Sequence, residues 1–175
     1  MKKIGIVVTH PIQYFNEIFS ELSKLHEVTV YFSHQQTPDD ELKTAFGNSF
    51  GWSGKILEGY DFKFLKNRAK KKNVGTFWGC NNPQIFKEVS SNNFDIFIVC
   101  GWHSLSYLQA IVACKLSRIP VYIRTDSTIE EPRSSLVKFI KRIFYPLLLK
   151  IPTGFLYVGV RSRFFLRSYG VTSDK

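Results

Sequence analysis

Lys3-Ile-Gly-Ile-Val-Val-Thr9, followed by His10-Pro-Ile-Gln13 and an apolar stripe reaching Leu25, decides how this chain folds. The first seven residues are a nearly continuous β-branched run, which suits a strand buried on both faces of a parallel sheet. Pro11 then stands where a helix can begin. Ile12, Phe15, Phe19, Leu22 and Leu25 recur at helical spacing and give that helix one apolar face. Val28-Thr-Val-Tyr-Phe32 reads as a second strand, so the opening is strand, helix, strand at the length of a βαβ unit.

The same rhythm continues outward. Phe94 to Cys100 is followed by a helix from Leu105 to Leu116, Val121 to Arg124 by a helix from Ser134 to Lys150, and Phe155 to Val158 by a helix from Ser162 to Tyr169. Alternation of this kind calls for an α/β chain: a Rossmann-like, doubly wound, mostly parallel sheet with helices on both faces. There is no internal repeat and no Pro/Gly/Ser linker, so residues 1–175 read as one domain. One stretch breaks the pattern. From Gln35 to about Phe62 the chain is rich in glycine and aromatics, too long for an ordinary connection, and is expected to be an ordered loop lining a site.

Composition narrows the function classes. With 44% hydrophobic, 15% aromatic and 22% charged residues the chain should pack a core and not remain disordered. Cys80, Cys100 and Cys114 are odd in number and in no CxxC spacing, so reduced, buried thiols in a cytosolic protein are expected instead of a disulfide framework or zinc site. The run Ile4 to Val8 is too short for a signal peptide. Ile143 to Ile151 falls well short of the roughly 20 residues needed to span a bilayer. The net charge of +10 says that some face attracts anions, whether nucleic acid, anionic lipid or phosphorylated ligands. No nucleic-acid reading motif accompanies it, and no nucleic-acid partner is expected.

In an open parallel sheet the ligand lies beyond the carboxyl ends of the strands. Thr9 and His10 follow the first strand, Gly101 to Ser104 another, and Arg124 to Ser127 the next. His103 stands at a helix start, where the dipole favours a neutral imidazole able to accept a proton or a sugar hydroxyl's hydrogen bond; equally it is a cap or loop residue. His10 is either a ligand contact or half of a His-Pro turn. Arg124 and Asp126 either bind a hydroxyl or phosphate, or pair with each other. No GxGxxG, Walker, HExxH, GxSxG or kinase signature is present, so hydride transfer, phosphate-loop hydrolysis and the common nucleophilic elbows lose support, NAD or FAD is disfavoured, and no resident cofactor is expected. The segment Arg133 to Lys150 is a basic amphipathic helix, with Lys138, Lys141 and Arg142 opposite its apolar stripe. That stripe packs on the sheet, leaves a part for anionic lipid, or does both. The run Lys66 to Lys72 reads as a flexible, solvated loop that adds to the surface potential.

Taken in order, His10-Pro-Ile-Gln-Tyr-Phe15, Phe46-Gly47, Gly51-Trp52, Leu57-Glu-Gly-Tyr60 with Phe64-Leu65, Phe77-Trp-Gly79 with Asn82-Pro83, Gly101-Trp102, Arg124-Thr-Asp-Ser-Thr128 and Tyr169-Gly170-Val171 resemble the N-terminal half of bacterial group 1 glycosyltransferases, the family 4 enzymes of the GT-B fold. The resemblance runs nearly end to end. It implies metal-independent sugar transfer, usually with retention, from a nucleotide sugar to a glycan or lipid-linked acceptor in surface polysaccharide synthesis. It also implies a place in the cytoplasm, peripheral at the inner face of the plasma membrane.

In that family the N-terminal domain holds the acceptor and a C-terminal domain the nucleotide sugar. The resemblance implies acceptor contacts at His10, Gln13, Trp52, Trp102, Arg124 and Asp126, with His103 closest to the reacting sugar. Aromatic rings such as Trp52, Trp78 and Trp102 suit stacking on sugars. The sequence departs from the family in three places. His10-Pro11 replaces the glycine-rich loop of many relatives, Ser53 follows Trp52 where an aspartate is expected, and the donor domain lies outside these residues. The 175 residues are therefore expected to bind without turning over. Two other readings fit the same residues: a stand-alone sugar- or phosphate-binding module, or docking partner of a separate chain, and half of a sugar-nucleotide epimerase.

Overall fold

Ile4 to Val8 are all buried in β1 (Lys3–Val8), and the strand's two rows of side chains enter two different cores. Ile6 and Val8 join one cluster with Phe15 and Phe19 of α1 (Gln13–Leu25); Val7 joins the other. That is the period-two alternation of a strand covered on both sides. A computed structural model gives this picture, and it describes residues 1–35, 57–127 and 144–172.

After α1 come β2 (Glu27–Phe32), β3 (Asp61–Phe64), a short 3-10 turn at Phe77–Gly79, α2 (Gln84–Ser91), β4 (Ile96–Val99), α3 (Leu105–Leu116), β5 (Val121–Thr125), β6 (Gly154–Tyr157) and α4 (Gly159–Ser168). The six strands form one sheet in the order β3-β2-β1-β4-β5-β6, every pairing parallel. The chain moves outward one way from β1 and then returns to begin again at β4, so the winding reverses between those two strands. Among the described residues α1 covers one face. Residues of α2, α3 and α4 join the larger core on the other, with Ile85, Val89, Ile111 and Phe165 buried there. Each such fully buried aliphatic or aromatic side chain stabilises the fold by about 1.5–3 kcal/mol relative to exposure.

The doubly wound α/β reading holds, with these differences. The sheet is wholly parallel and has six strands, because β3 follows the irregular stretch that was expected to run to Phe62. β3 is a four-residue edge strand with three exposed positions, so it carries little of the apolar pattern by which strands are recognised. α2 is also additional; its Ile85 and Val89 are spaced one turn apart, but eight residues make a weak periodic signal. α1 starts at Gln13, with Ile12 in extended conformation before it, two residues beyond Pro11. Of the helix expected from Ser134 to Lys150, residues 144–148 are helical and 134–143 lie outside the described residues. Most of the Gln35 to Phe62 loop lies outside them too.

Gly5 shows how tightly the centre is packed. It pairs with Phe97 across β1 and β4, and a Cβ at Gly5 would collide with the Phe97 ring. Gly5→Ala is therefore expected to destabilise the domain by about 1–3 kcal/mol through overpacking, read as a lower urea midpoint at unchanged slope.

Candidate functional site

The reversal between β1 and β4 leaves a crevice at the carboxyl edge of the sheet, where open α/β sheets place their ligands. A cleft of about 630 Å³ opens there, within the range of small-molecule sites. His10 enters it after β1, Gly101-Trp102-His103 after β4, and Arg124 to Ser127 at the end of β5. Tyr14 and Phe15 at the start of α1, and Val74 and Phe77 from the loop before α2, supply further walls.

Side chains pin this edge. The Thr9 amide donates to the buried Tyr107 hydroxyl on α3 at 3.0 Å. Ser33, after β2, and Ser106 share a buried hydroxyl pair at 2.7 Å. The Asn82 side-chain amide donates to the Ser33 and Leu65 carbonyls, tying β2 to β3. The turn after β4 depends on Gly101, whose φ of +125° other residues rarely adopt, and whose α-carbon faces the rings of His103 and Tyr107.

His10 and His103 are both held neutral. Burial, and to a lesser extent like-charge repulsion from the neighbouring His34 and His103, brings the His10 pKa down to about 4. Its Nδ1 lies 3.0 Å from the Thr9 hydroxyl. His103 is exposed at the cleft mouth, yet enough protein surrounds the ring to lower its pKa, burial being the main cause and Asp126 acting the other way. Its ring stands edge-on to Tyr107 at 5.2 Å. Cys100 also lines the cleft and is half-buried, not fully buried as expected. Desolvation pushes its thiol up to about 12, so it is no thiolate nucleophile at neutral pH. Cys80 and Cys114 are buried, and all three thiols are free.

Of the two roles expected for Arg124 and Asp126, the pairing is present, and both residues line the cleft. Their closest approach is 3.9 Å, a loose pair, and Asp126 remains largely exposed. The guanidinium instead lies over the Phe15 ring at 4.5 Å, which fixes it at the cleft wall. Trp102 belongs to that wall as a packing residue: it is 8% exposed, stacks against Phe165, and gives its indole N–H to Tyr145 at 3.1 Å. Gln13 is exposed at the start of α1 and does not line the cleft. Trp52, Lys138, Lys141 and Arg142 lie outside the described residues.

The loop from Lys66 to Lys72 is not a free one. Asn67 accepts from the Ala69 and Asn81 amides and donates to the Gly79 carbonyl, while Asn73 caps the Gly75 and Thr76 amides. Asparagine side chains thus substitute for secondary structure over this stretch. Sequence reasoning missed this, together with Tyr14, Tyr107 and Tyr145 as cleft residues; the run of Asn67, Asn73, Asn81 and Asn82 was the available signal.

Among the described residues no group of His, Cys, Asp and Glu is placed to hold a metal ion, and no helix is long and apolar enough to cross a membrane. No protein-family model, curated protein or solved structure matches this chain.

The histidines make stability depend on pH in a definite direction. The folded-state pKa of His10, about 4, lies below its ordinary 6.5, so on acidification the unfolded chain takes up the proton first. Stability is expected to be full above pH 6.5 and to fall progressively toward pH 4, by at most about 3 kcal/mol. His10→Gln should flatten that slope in urea titrations between those limits; an unchanged slope would contradict the assignment.

Proposed function

We propose that this domain is the acceptor-binding half of a glycosyltransferase that moves a sugar from a nucleotide sugar to a glycan or lipid-linked acceptor. One observation carries the reading: two neutral imidazoles, His10 and His103, stand on adjacent strand ends at the winding reversal and face one aromatic-walled cleft. The resemblance of short motifs, in order along nearly the whole chain, to group 1 glycosyltransferases points the same way.

Glycosyl transfer needs an acceptor hydroxyl aimed at the anomeric carbon and relieved of its proton as the new bond forms. A neutral imidazole accepts a hydrogen bond from that hydroxyl; a protonated one does not. In this reading His103, at the cleft mouth, takes the reacting hydroxyl, and His10 with Arg124, Asp126 and Ser127 holds the neighbouring ones. Tyr14 and Phe77 offer ring faces or edges against which a pyranose can pack.

His10-Pro11 stands where dinucleotide-binding folds carry the glycine turn that admits a pyrophosphate to a helix N-terminus. In this reading the nucleotide belongs to a second domain, as the resemblance implies, and that domain would supply the leaving diphosphate's stabilisation. The same reading sets the protein at the cytoplasmic face of a membrane, where the basic residues Lys138, Lys141 and Arg142 of the sequence would suit anionic lipid.

The test is transfer of label from a panel of nucleotide sugars to a membrane-extract acceptor by the full-length gene product. His103→Ala is expected to lower the rate by about a hundredfold or more, and Gln13→Ala by less than about twofold. The acid limb of the rate should lie below pH 6.5, and Asp126→Asn should move it lower still, because Asp126 raises the His103 pKa. Glycan binding without any transfer would replace this reading with that of a binding module.

A further inference from the structure

The loop between β3 and α2 has a charge pattern and a shape that the cleft alone does not explain. From Lys63 through Lys87 the chain carries seven lysines and arginines and no acidic residue. Lys63 is engaged with Glu88, but Lys66, Arg68, Lys70, Lys71 and Lys72 are exposed on one short segment. That segment is closed on itself: the Arg68 amide donates to the Asn81 carbonyl at 2.8 Å, and the Asn73 amide to the Gly79 carbonyl at 3.2 Å. The second bond sets Lys72 and Trp78 one residue from its two ends.

Trp78 is 70% exposed, an unusual position for an indole in an otherwise ordered loop. Phe77 stands edge-on to it at 4.9 Å and faces the other way, into the cleft with Val74. One loop therefore forms part of the cleft wall on its inner side and offers an indole beside a row of ammonium groups on its outer side.

We propose that this loop is an outer acceptor subsite for an anionic saccharide, a glycan whose carboxylate or phosphate groups meet Lys70, Lys71 and Lys72 while one of its rings stacks on Trp78. The inference rests on the glycosyltransferase reading and narrows its acceptor to a chain several sugars long. Its terminal residue reaches the histidines, and its next residues pass over Phe77 to the rim. A rigid, pre-ordered loop suits this, because it adds little ordering entropy on binding. Ammonium groups on flexible stems suit a repeating acidic chain, since they tolerate variation in the spacing of its charges.

The test is titration of the 175-residue chain, followed by calorimetry and tryptophan fluorescence, with tetragalacturonate, phosphorylated mannopentaose, maltotetraose, oligo-dT and phosphatidylglycerol vesicles. Of the two acidic saccharides, whichever binds better tells carboxylate from phosphate, and at least one is expected to bind more tightly than maltotetraose. Trp78→Ala should weaken that saccharide about tenfold. The triple change Lys70→Gln, Lys71→Gln, Lys72→Gln should weaken it by a similar factor and remove its loss of affinity on raising ionic strength to about 0.15 M. All four positions are exposed, so the variants should fold as the parent does.

The proposal is overturned if maltotetraose binds as tightly as both acidic saccharides, if Trp78→Ala has no effect, or if only oligo-dT or the vesicles bind. Maltotetraose binding that depends on His10 and His103 would overturn this inference alone. Failure of every saccharide to bind would remove the glycosyltransferase reading with it.

Discussion

The hydrogen bond from the Thr9 amide to the Tyr107 hydroxyl joins two points 98 residues apart, and the site depends on it. It fastens the end of the first strand to the helix that follows the fourth, across the gap where the winding reverses. The β1–β4 ladder already sets the two strand ends side by side, and this bond adds the helix that carries Tyr107 to them. The phenol is buried, so an unmade bond here would leave a donor and a hydroxyl stranded away from water, at a cost of about 1–3 kcal/mol. The same ring then serves as the surface on which His103 stands edge-on. One tyrosine thus couples the packing of the core to the orientation of the site.

The neighbouring polar contacts follow the same plan. Ser33 and Ser106 bind β2 to α3, and Asn82 closes β2 against β3, so the carboxyl edge is laced by side chains where the sheet's own ladder ends. Low dielectric at this edge has a second effect. It holds His10 neutral and lifts Cys100 and Tyr107 out of their ordinary ranges, leaving Arg124 and Asp126 as the charged pair on the wall. The cleft is therefore polar but nearly uncharged, a setting suited to neutral hydroxyls, while the strong positive charge sits outside on the rim loop.

Much of the fold was legible because parallel sheets covered on both sides write themselves as apolar runs. β1, β2 and β5 are such runs, and α3 was readable to its ends. β3 was not, since an edge strand with three exposed residues has no burial to record. α2 was short, and its register was set by packing against α3, which no local pattern announces. The site was partly legible for a related reason. Residues just after strands are marked by position, so His10, His103, Arg124 and Asp126 could be named. Tyr107, Tyr14 and Phe77 reach the cleft only through tertiary packing. Trp102 stood at the right place in the chain, but its indole was needed by Tyr145 and Phe165. Lys66 to Lys72 looked like solvated chain because the asparagines that order it, Asn67 within the run and Asn73 just after it, act partly on backbone groups as far along as Gly79 and Asn81.

We propose that the carboxyl edge over β1 and β4 is where this protein holds a saccharide. Amide and histidine-ring NMR shifts of the isotopically labelled chain, followed while a mixed pool of neutral and acidic oligosaccharides is added, test it most directly. Perturbations are expected to concentrate at Thr9 and His10, at Gly101 to His103, and at Phe77 and Trp78, with the His10 ring neutral throughout at pH 7. Perturbations confined to the outer face of α1 or to β6 and α4, with the two histidines unmoved, would contradict it.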